Sequence, residues 1–269
     1  MVYTSAVPQI RIGTVPFANA LPLDYYLPSV LPTAEIVRLP PSQLGKMMRQ
    51  GDLDIALLST IERLRHPEYD AINDLGICCD GRVRSVCLFS KEPIHNIHRL
   101  ALDSNSLTSV ILLKILLQDY WQIAPDLVSY SPPLKNGIQI ADAALAIGDN
   151  AFVVCDQMIT PHDLGEAWKN HTGLPFVFAE WMARPGFDPA PWREAFMNAC
   201  AIGLEHRREL AELSAAKSHF PPEFFFEYFT ESIKYERTPL YEKGLDAFYE
   251  KARPILEQNE QLPAAFPHH

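Results

Sequence analysis

Residues 100–121 have the pattern of a strand, a turn and a helix in succession. Residues 100–102 are apolar, as at the end of a buried strand. Residues 103–109 are rich in serine and threonine, which favour turns and N-caps because their side chains compete for backbone hydrogen bonds. From Val110 onward, apolar residues recur at three- and four-residue steps, which predicts a helix. A helix opening at such a turn presents unpaired N–H groups and its positive dipole end, so we predict an anion site; a capped helix without ligand is the alternative.

The first third of the chain has the same order of elements. Strand patterns at residues 10–15, 35–39 and 54–58 alternate with helical patterns. Gly51 fits a helix C-cap, and Ser59 and Glu62 have the spacing of a capping box. This β-α-β-α-β order predicts an α/β fold with an open, mainly parallel sheet, whose ligands bind beyond the carboxyl ends of the strands.

A second α/β unit is predicted after an extended crossover. Residues 77–90 alternate like one long strand, and residues 92–175 contain further strand and helix patterns. A strand at 175–179 returns the chain, and aromatic-rich helices at 192–213 and 223–256 form an outer layer. We therefore predict a discontinuous first lobe of residues 1–91 and 176–269, with residues 92–175 inserted as the second lobe. Two such lobes predict a central cleft for a small ligand.

Charge and composition restrict the partners. A formal net charge of −10 argues against binding to nucleic acid or to anionic membranes. Membrane spans need about 20 apolar residues, and no segment approaches that length. The first residues lack the basic and apolar regions of a signal peptide, so we expect a cytoplasmic protein. Five cysteines without a C-x-x-C pair indicate reduced, buried thiols.

The sequence contains no strong catalytic motif: it has no G-x-S-x-G, Walker loop, dinucleotide fingerprint or H-E-x-x-H. The pair His95 and His98 has no third ligand nearby, so we expect no metal. Uncharged polar residues instead follow the predicted strands, where each could equally be a cap or turn residue. They are Asn19, Ser59, Thr60, Ser85 and the 104–109 cluster, with Asp149 behind a further strand.

Several segments resemble the MqnA/MqnD menaquinone-biosynthesis family. They are RIGTVPFANALPL (11–23), GDLDIALLSTIE (51–62), residues 81–90, LDSNSLTS (102–109), AIGDNA (146–151) and residues 163–181. Gly148 and Asp149 stand where the branch that forms 1,4-dihydroxy-6-naphthoate has His-Glu, so the chain is more similar to the branch that dehydrates chorismate in the futalosine route. Pro16, Ala18 and the pair Ser59 and Thr60 depart from the family pattern.

The resemblance implies a two-lobed, type-2 periplasmic-binding-protein-like fold and the conversion of chorismate, a small dianion, to 3-[(1-carboxyvinyl)oxy]benzoate. We expect no cofactor. We assign one substrate carboxylate to the helix after residue 107 and the other to Ser85 with Arg84, and we expect Asn19 to orient the ring. The substrate-binding set is Phe17, Ser59, Thr60, Arg84, Ser85, Ser104, Ser106, Thr108, Ser109 and Gly148.

Alternatives remain at two levels. The C3 proton passes either to the substrate's own enolpyruvyl carboxylate or to a protein group, Asp149 or Glu62, acting as general acid or base. The catalytic candidates are therefore Asn19, Asp149 and Glu62. At the level of function, a 1,4-dihydroxy-6-naphthoate synthase-like lyase and a small-anion solute-binding protein of the same fold are the competing hypotheses.

Overall fold

A computed structural model describes residues 10–153 and 158–261. The chain divides into two compact units. Unit 1 comprises Met1–Cys79 and Val177–Arg237, and unit 2 comprises Asp80–Phe176 and Thr238–His269. Cys155 lies outside the described residues.

Eleven strands lie within the described residues. They are β1 (Arg11–Thr14), β2 (Glu35–Arg38), β3 (Ile55–Ser59), β4 (Asp70–Cys79), β5 (Val86–Ser90), β6 (Arg99–Asp103), β7 (Asp126–Tyr130), β8 (Ala143–Ile147), β9 (Thr160–Asp163), β10 (Phe176–Ala183) and β11 (Lys234–Glu236).

The α-helices of the same part of the chain are α1 (Leu21–Asp24), α2 (Leu27–Val30), α3 (Pro41–Gln50), α4 (Ile61–Arg65), α5 (Thr108–Ile115), α6 (Leu134–Ile140), α7 (Leu164–Thr172), α8 (Arg193–Glu205), α9 (Arg207–Ala215), α10 (Pro222–Glu227) and α11 (Pro239–Gln261). One π-helical turn, Leu116–Tyr120, continues α5, and another, Tyr228–Ser232, continues α10. No helix of the described ranges is both long and apolar enough to cross a membrane.

The sheet of unit 1 has six strands in the order β11-β4-β10-β3-β1-β2. Strand β1 is parallel to both β2 and β3, whereas β10 is antiparallel to β3 and β11 is antiparallel to β4. The predicted parallel core is thus confirmed for β2-β1-β3, but the complete sheet is mixed. Every residue of β3 is buried, as expected for an apolar strand covered on both faces.

Unit 2 has a five-stranded sheet in the order β7-β6-β8-β5-β9. Strand β6 is parallel to β7 and β8, and β5 is antiparallel to β8 and β9. Both units therefore place three parallel strands in the same order, with an antiparallel strand beside the third. In this arrangement the carboxyl ends of β6 and β8 and the amino end of β5 share one edge.

Two details of the predicted organisation differ from the structure. Residues 77–90 are not one strand, because β4 ends at Cys79 and β5 begins at Val86 in the other sheet. The contacts also group residues 80–91 and the C-terminal helix with unit 2, rather than with the first lobe as predicted. Helix α11 packs on α5, and Phe248 contacts the rings of Trp168 and Phe176, so its attachment is set by tertiary contacts.

Candidate functional site

The polar turn between β6 and α5 lies at the carboxyl edge of the unit 2 sheet. Helix α5 begins at Thr108, and its N-cap, Leu107, supplies no side-chain acceptor. The capped-helix alternative therefore lacks the hydrogen bond that usually satisfies a first-turn N–H group. Ser106, Thr108 and Ser109 are buried in this turn, whereas Ser104 is exposed.

Asp103 is a further candidate in this turn, and its role was not predicted from the sequence. It is the last residue of β6 and is 2% exposed. Its Oδ1 accepts a 2.9 Å hydrogen bond from the Asn105 N–H, and burial raises the pKa of the carboxyl to about 6. Among the described residues, neither its Oδ2 nor the Oγ of Ser106 has a hydrogen-bond partner. This turn thus contains two buried polar atoms able to bond to a ligand.

The second group of candidates lies in the turn between β4 and β5. Arg84 has a left-handed backbone conformation with φ 63°. The next residue, Ser85, is fully buried; its N–H donates to the Val83 carbonyl at 2.8 Å, and its Oγ reaches the same carbonyl only at 3.5 Å. Because the backbone is not extended at Arg84, residues 84 and 85 do not follow the strand alternation predicted for residues 77–90.

Gly148 and Asp149 follow β8 at the same edge. Val86, the first residue of β5, pairs with Ile147, the last residue of β8, so Ser85 and Gly148 flank the same end of this strand pair. Gly148 has φ 56°, a conformation that favours glycine, and it begins a short 3-10 turn. Asp149 is exposed, in contrast to the buried Asp103.

In unit 1, the loop after β1 carries Phe17 and Asn19. Phe17 is half-buried and precedes a 3-10 turn that contains Asn19. Asn19 is 8% exposed, and its Oδ1 has no hydrogen-bond partner among the described residues. An amide oxygen buried in this way can accept a hydrogen bond from a ligand hydroxyl.

The end of β3 lies at the same edge of unit 1, because β1 and β3 are parallel neighbours. Ser59 is the last residue of the strand and Thr60 is the N-cap of α4; both are buried. Thr60 donates its N–H to the Phe178 carbonyl at 3.0 Å. No side chain caps α4, so the predicted capping box between Ser59 and Glu62 is wrong.

Glu62 instead belongs to an ion-pair cluster within unit 1. Its buried Oε2 accepts a 2.6 Å hydrogen bond from Arg49 of α3, and Arg65 Nη1 lies 3.7 Å from Oε1. His66 is a more distant neighbour, with Nε2 3.9 Å from Oε2. These contacts link α4 to α3, a structural role that separates Glu62 from the other candidates.

The structure thus brings the predicted residues together in two sets, one at the carboxyl edge of each sheet. Unit 1 carries Phe17, Asn19, Ser59 and Thr60, and unit 2 carries Arg84, Ser85, Ser104, Ser106, Thr108, Ser109, Gly148 and Asp149. Across residues 10–153 and 158–261, no group of three or more His, Cys, Asp or Glu side chains could hold a metal ion. The sequence signal that points to Asp103 is a carboxylate at the end of a buried strand.

The fold is that of a two-unit α/β protein of the periplasmic-binding-protein class. The structure is similar to that of the periplasmic aliphatic sulphonate binding protein SsuA from Escherichia coli, with a TM-score of 0.62, 15% identity, and coverage of 95% of this chain and 94% of SsuA. At this identity the similarity establishes the fold alone.

Within that class, the sequence profile of the menaquinone biosynthesis family matches residues 10–254, and the chain belongs to this family. It is 28% identical to the chorismate dehydratase of Thermus thermophilus over 264 residues, covering 89% of this chain and 93% of that enzyme. It is also 32% identical to the chorismate dehydratase of Campylobacter jejuni over 176 residues, covering 63% of this chain and 65% of that enzyme. The resemblance to the menaquinone-biosynthesis family, predicted from the sequence motifs, is confirmed.

Proposed function

We propose that the protein is a chorismate dehydratase that acts in menaquinone biosynthesis. The observation that carries this proposal is the similarity to the Thermus thermophilus chorismate dehydratase, which extends over 89% of the chain. The neutral donors and the helix start at the sheet edge of unit 2 support it, because they suit a substrate that carries carboxylates.

The reaction is the loss of water from chorismate to give 3-[(1-carboxyvinyl)oxy]benzoate, which makes the protein a carbon–oxygen lyase. The C3–H bond and the bond from C4 to its hydroxyl break, and the electron pair of the former completes the aromatic ring. Aromatisation supplies the driving force, so the protein need mainly hold a reactive geometry and stabilise the moving charge. A cytoplasmic location is part of this proposal.

Six of the candidate residues receive a role in binding or orientation. The first turn of α5, with Ser106, Thr108 and Ser109, would bind one carboxylate. Charge-assisted hydrogen bonds of this kind are worth roughly 1.5–3 kcal/mol each. Ser85 and Arg84 would bind the other carboxylate. Asn19 would accept a hydrogen bond from the C4 hydroxyl with its buried, unpartnered Oδ1, or donate one from its Nδ2 amide to the ether oxygen.

The proton at C3 is assigned to the substrate's own enolpyruvyl carboxylate. The residues assigned to substrate binding include neither a histidine nor a lysine that could act as base. Of the two protein alternatives, Glu62 is already paired with Arg49. Asp149 is the remaining competitor. A chorismate analogue without the enolpyruvyl carboxylate should therefore bind, more weakly than chorismate, but not aromatise, whereas normal turnover of that analogue would exclude the assignment.

The function is tested by incubating the purified protein with chorismate and following the aromatic absorbance, with the product identified by mass spectrometry. Formation of a product that is lighter than chorismate by one water supports the dehydratase. Binding without conversion would support the solute-binding alternative, and inert chorismate would leave the 1,4-dihydroxy-6-naphthoate synthase-like lyase as the hypothesis to pursue.

A further inference from the structure

The carboxylate of Asp163 joins two distant parts of unit 2. Asp163 is the last residue of β9 and the N-cap of α7, where its Oδ1 accepts a 3.1 Å hydrogen bond from the Glu166 N–H. It also accepts hydrogen bonds from the turn between β4 and β5: the Val83 N–H lies 3.1 Å from each carboxylate oxygen, and the Arg84 N–H lies 2.6 Å from Oδ2. Capping α7 requires only the first of these contacts.

The turn that Asp163 holds has a conformation that its sequence disfavours. Arg84 has φ 63°, and residues with a Cβ atom seldom adopt this left-handed region. Such a conformation persists when the surrounding structure fixes it. The shortest hydrogen bond of the Asp163 carboxylate comes from the backbone N–H of Arg84. Asp163 is itself buried, and strand pairing fixes it opposite Cys87 on β5.

This turn contains both residues to which the proposed function assigns a substrate carboxylate. The positions of Arg84 and Ser85, directly before β5 begins at Val86, both depend on the path of the backbone at residues 83–85. The turn also makes a contact with β5, where the Sγ of Cys87 lies 3.5 Å from the carbonyl oxygen of Arg84. A carboxylate that accepts hydrogen bonds from Val83 and Arg84 therefore controls where the next side chains lie.

We propose that Asp163 is a positioning residue for substrate binding: its carboxylate holds residues 83–85 in the conformation in which Arg84 and Ser85 bind a substrate carboxylate. This inference rests on the proposed function. Asp163 touches no reacting atom in it. Its effect on turnover passes through the backbone of the turn, so the inference assigns it to substrate affinity rather than to the chemical step.

The test uses two variants of Asp163 and a matched control in the full chain. Asp163→Ser keeps a preferred N-cap residue for α7 but removes the carboxylate from the turn. Asp163→Asn keeps the size of the side chain and removes its charge. The control is Asp142→Asn, because Oδ2 of Asp142 also accepts two backbone N–H groups of unit 2, those of His98 at 3.0 Å and Arg99 at 2.9 Å, away from the turn.

Two measurements are compared, amide hydrogen exchange at Val83 and Arg84 in the free protein and steady-state kinetics with chorismate. Both Asp163 variants should exchange these amides at least about tenfold faster and raise KM about tenfold, with kcat changed less than about threefold. Asp142→Asn should leave the exchange of both amides and KM unchanged.

Unchanged exchange at Val83 and Arg84 in both Asp163 variants, or an equal rise in KM in Asp142→Asn, would overturn the positioning role. Unchanged KM despite faster exchange would overturn it as well, by showing that the turn does not determine affinity. Absence of chorismate turnover in the wild-type protein would instead overturn the proposed function, and the exchange comparison, which needs no substrate, would still report whether Asp163 holds the turn.

Discussion

Thr14 donates a 2.8 Å hydrogen bond from its Oγ1 to Oδ2 of Asp24. This contact joins the last residue of β1 to α1, across the loop that carries Asn19. Both side chains are buried, and Arg38 Nη2 lies 3.6 Å from the same carboxylate oxygen. Burial outweighs these favourable contacts and raises the pKa of Asp24 to about 6.

The first prediction concerns the pH dependence of stability. The folded state binds the Asp24 proton more tightly than the unfolded chain does. The contribution of this proton to the free energy of unfolding is therefore full below about pH 4 and is lost as pH rises through about 6. The free energy of unfolding of the wild type, relative to Asp24→Asn, should therefore fall between pH 4 and pH 7, by at most about 3 kcal/mol. Urea denaturation of both proteins across this range measures the difference.

Asp142→Asn provides a control of opposite sign for that measurement. Backbone N–H groups of Arg99 and His98 lower the pKa of Asp142, so its stabilisation is present above the unfolded pKa and lost as pH falls. The stability of the wild type relative to this variant should rise only up to about pH 4 and stay nearly constant from there to pH 7, where the Asp24 comparison falls. Parallel curves for wild type and Asp24→Asn would contradict the first prediction.

The second prediction is that Asn19→Ala lowers turnover by more than tenfold while the melting temperature stays close to that of the wild type. Its Oδ1 forms no hydrogen bond within the described residues, so truncation removes no protein contact of that atom but would remove one to the substrate. Steady-state kinetics and thermal denaturation test both parts. Asn136→Ala, an exposed asparagine of α6, is the control. A decrease in turnover smaller than tenfold would remove Asn19 from the site.

The third prediction tests whether Glu62 or Asp149, rather than the substrate's own carboxylate, accepts the C3 proton. Glu62→Gln weakens the pairing with Arg49 and should lower the free energy of unfolding by about 1–3 kcal/mol, with kcat changed less than about threefold. Asp149→Asn should leave both quantities nearly unchanged. Kinetics and denaturation of each variant provide the measurement. A decrease in kcat of tenfold or more at unchanged substrate affinity would identify the altered residue as the general acid or base.

The fourth prediction links Asp103 to binding of an anion at the start of α5. Ionised Asp103 would repel a carboxylate bound in the same turn, and its pKa is about 6 because it is buried. Substrate carboxylates remain ionised well below this pH, so KM should decrease severalfold when pH falls from about 7.5 to 5.5. Asp103→Asn should have nearly constant KM over that range. Identical pH profiles of KM for the two proteins would show that no anion binds near Asp103.

Local sequence signals were sufficient for the elements that position most of the candidates. The strand predicted at residues 54–58 is observed as the fully buried β3, and the apolar residues 143–147 form the fully buried β8. Gly51 ends α3 in the left-handed conformation expected of a C-cap. Polar residues after these strands lie at the carboxyl edges of the sheets. These features depend on contacts that are close in sequence or on the burial of whole strands.

The predictions that were wrong concern contacts between residues far apart in sequence. Alternation continues through residues 77–90, but hydrogen bonds to Asp163 turn the backbone at Arg84. Glu62 has capping-box spacing from Ser59, yet its partner is Arg49 on another helix. The spacing of Asp163 and Glu166 could have indicated a helix N-cap, but no local pattern indicates its bonds to residues 83–84.

The last prediction concerns Gly203, where α8 packs against α1. A Cβ atom on this residue would lie 2.2 Å from the carbonyl oxygen of Pro22, which is backbone and cannot rotate away. Replacing a helical glycine by alanine normally stabilises a helix by about 1 kcal/mol, but here Gly203→Ala should destabilise the protein by about 1–3 kcal/mol. Gly45→Ala is the matched control, because its nearest atoms, at 3.1–3.2 Å, belong to the side chains of Glu62 and Arg49.

Gly203→Ala also tests whether packing of α1 determines the position of Asn19. Pro22 belongs to α1, which follows directly on the 3-10 turn that carries Asn19. A displacement of α1 should therefore move the amide and lower kcat, in addition to lowering stability. Denaturation and kinetics of Gly203→Ala and Gly45→Ala measure the two effects separately. Normal kcat in the folded fraction of Gly203→Ala would show that the loop keeps Asn19 in place independently of the contact between α1 and α8, for example through the Thr14–Asp24 hydrogen bond that spans it.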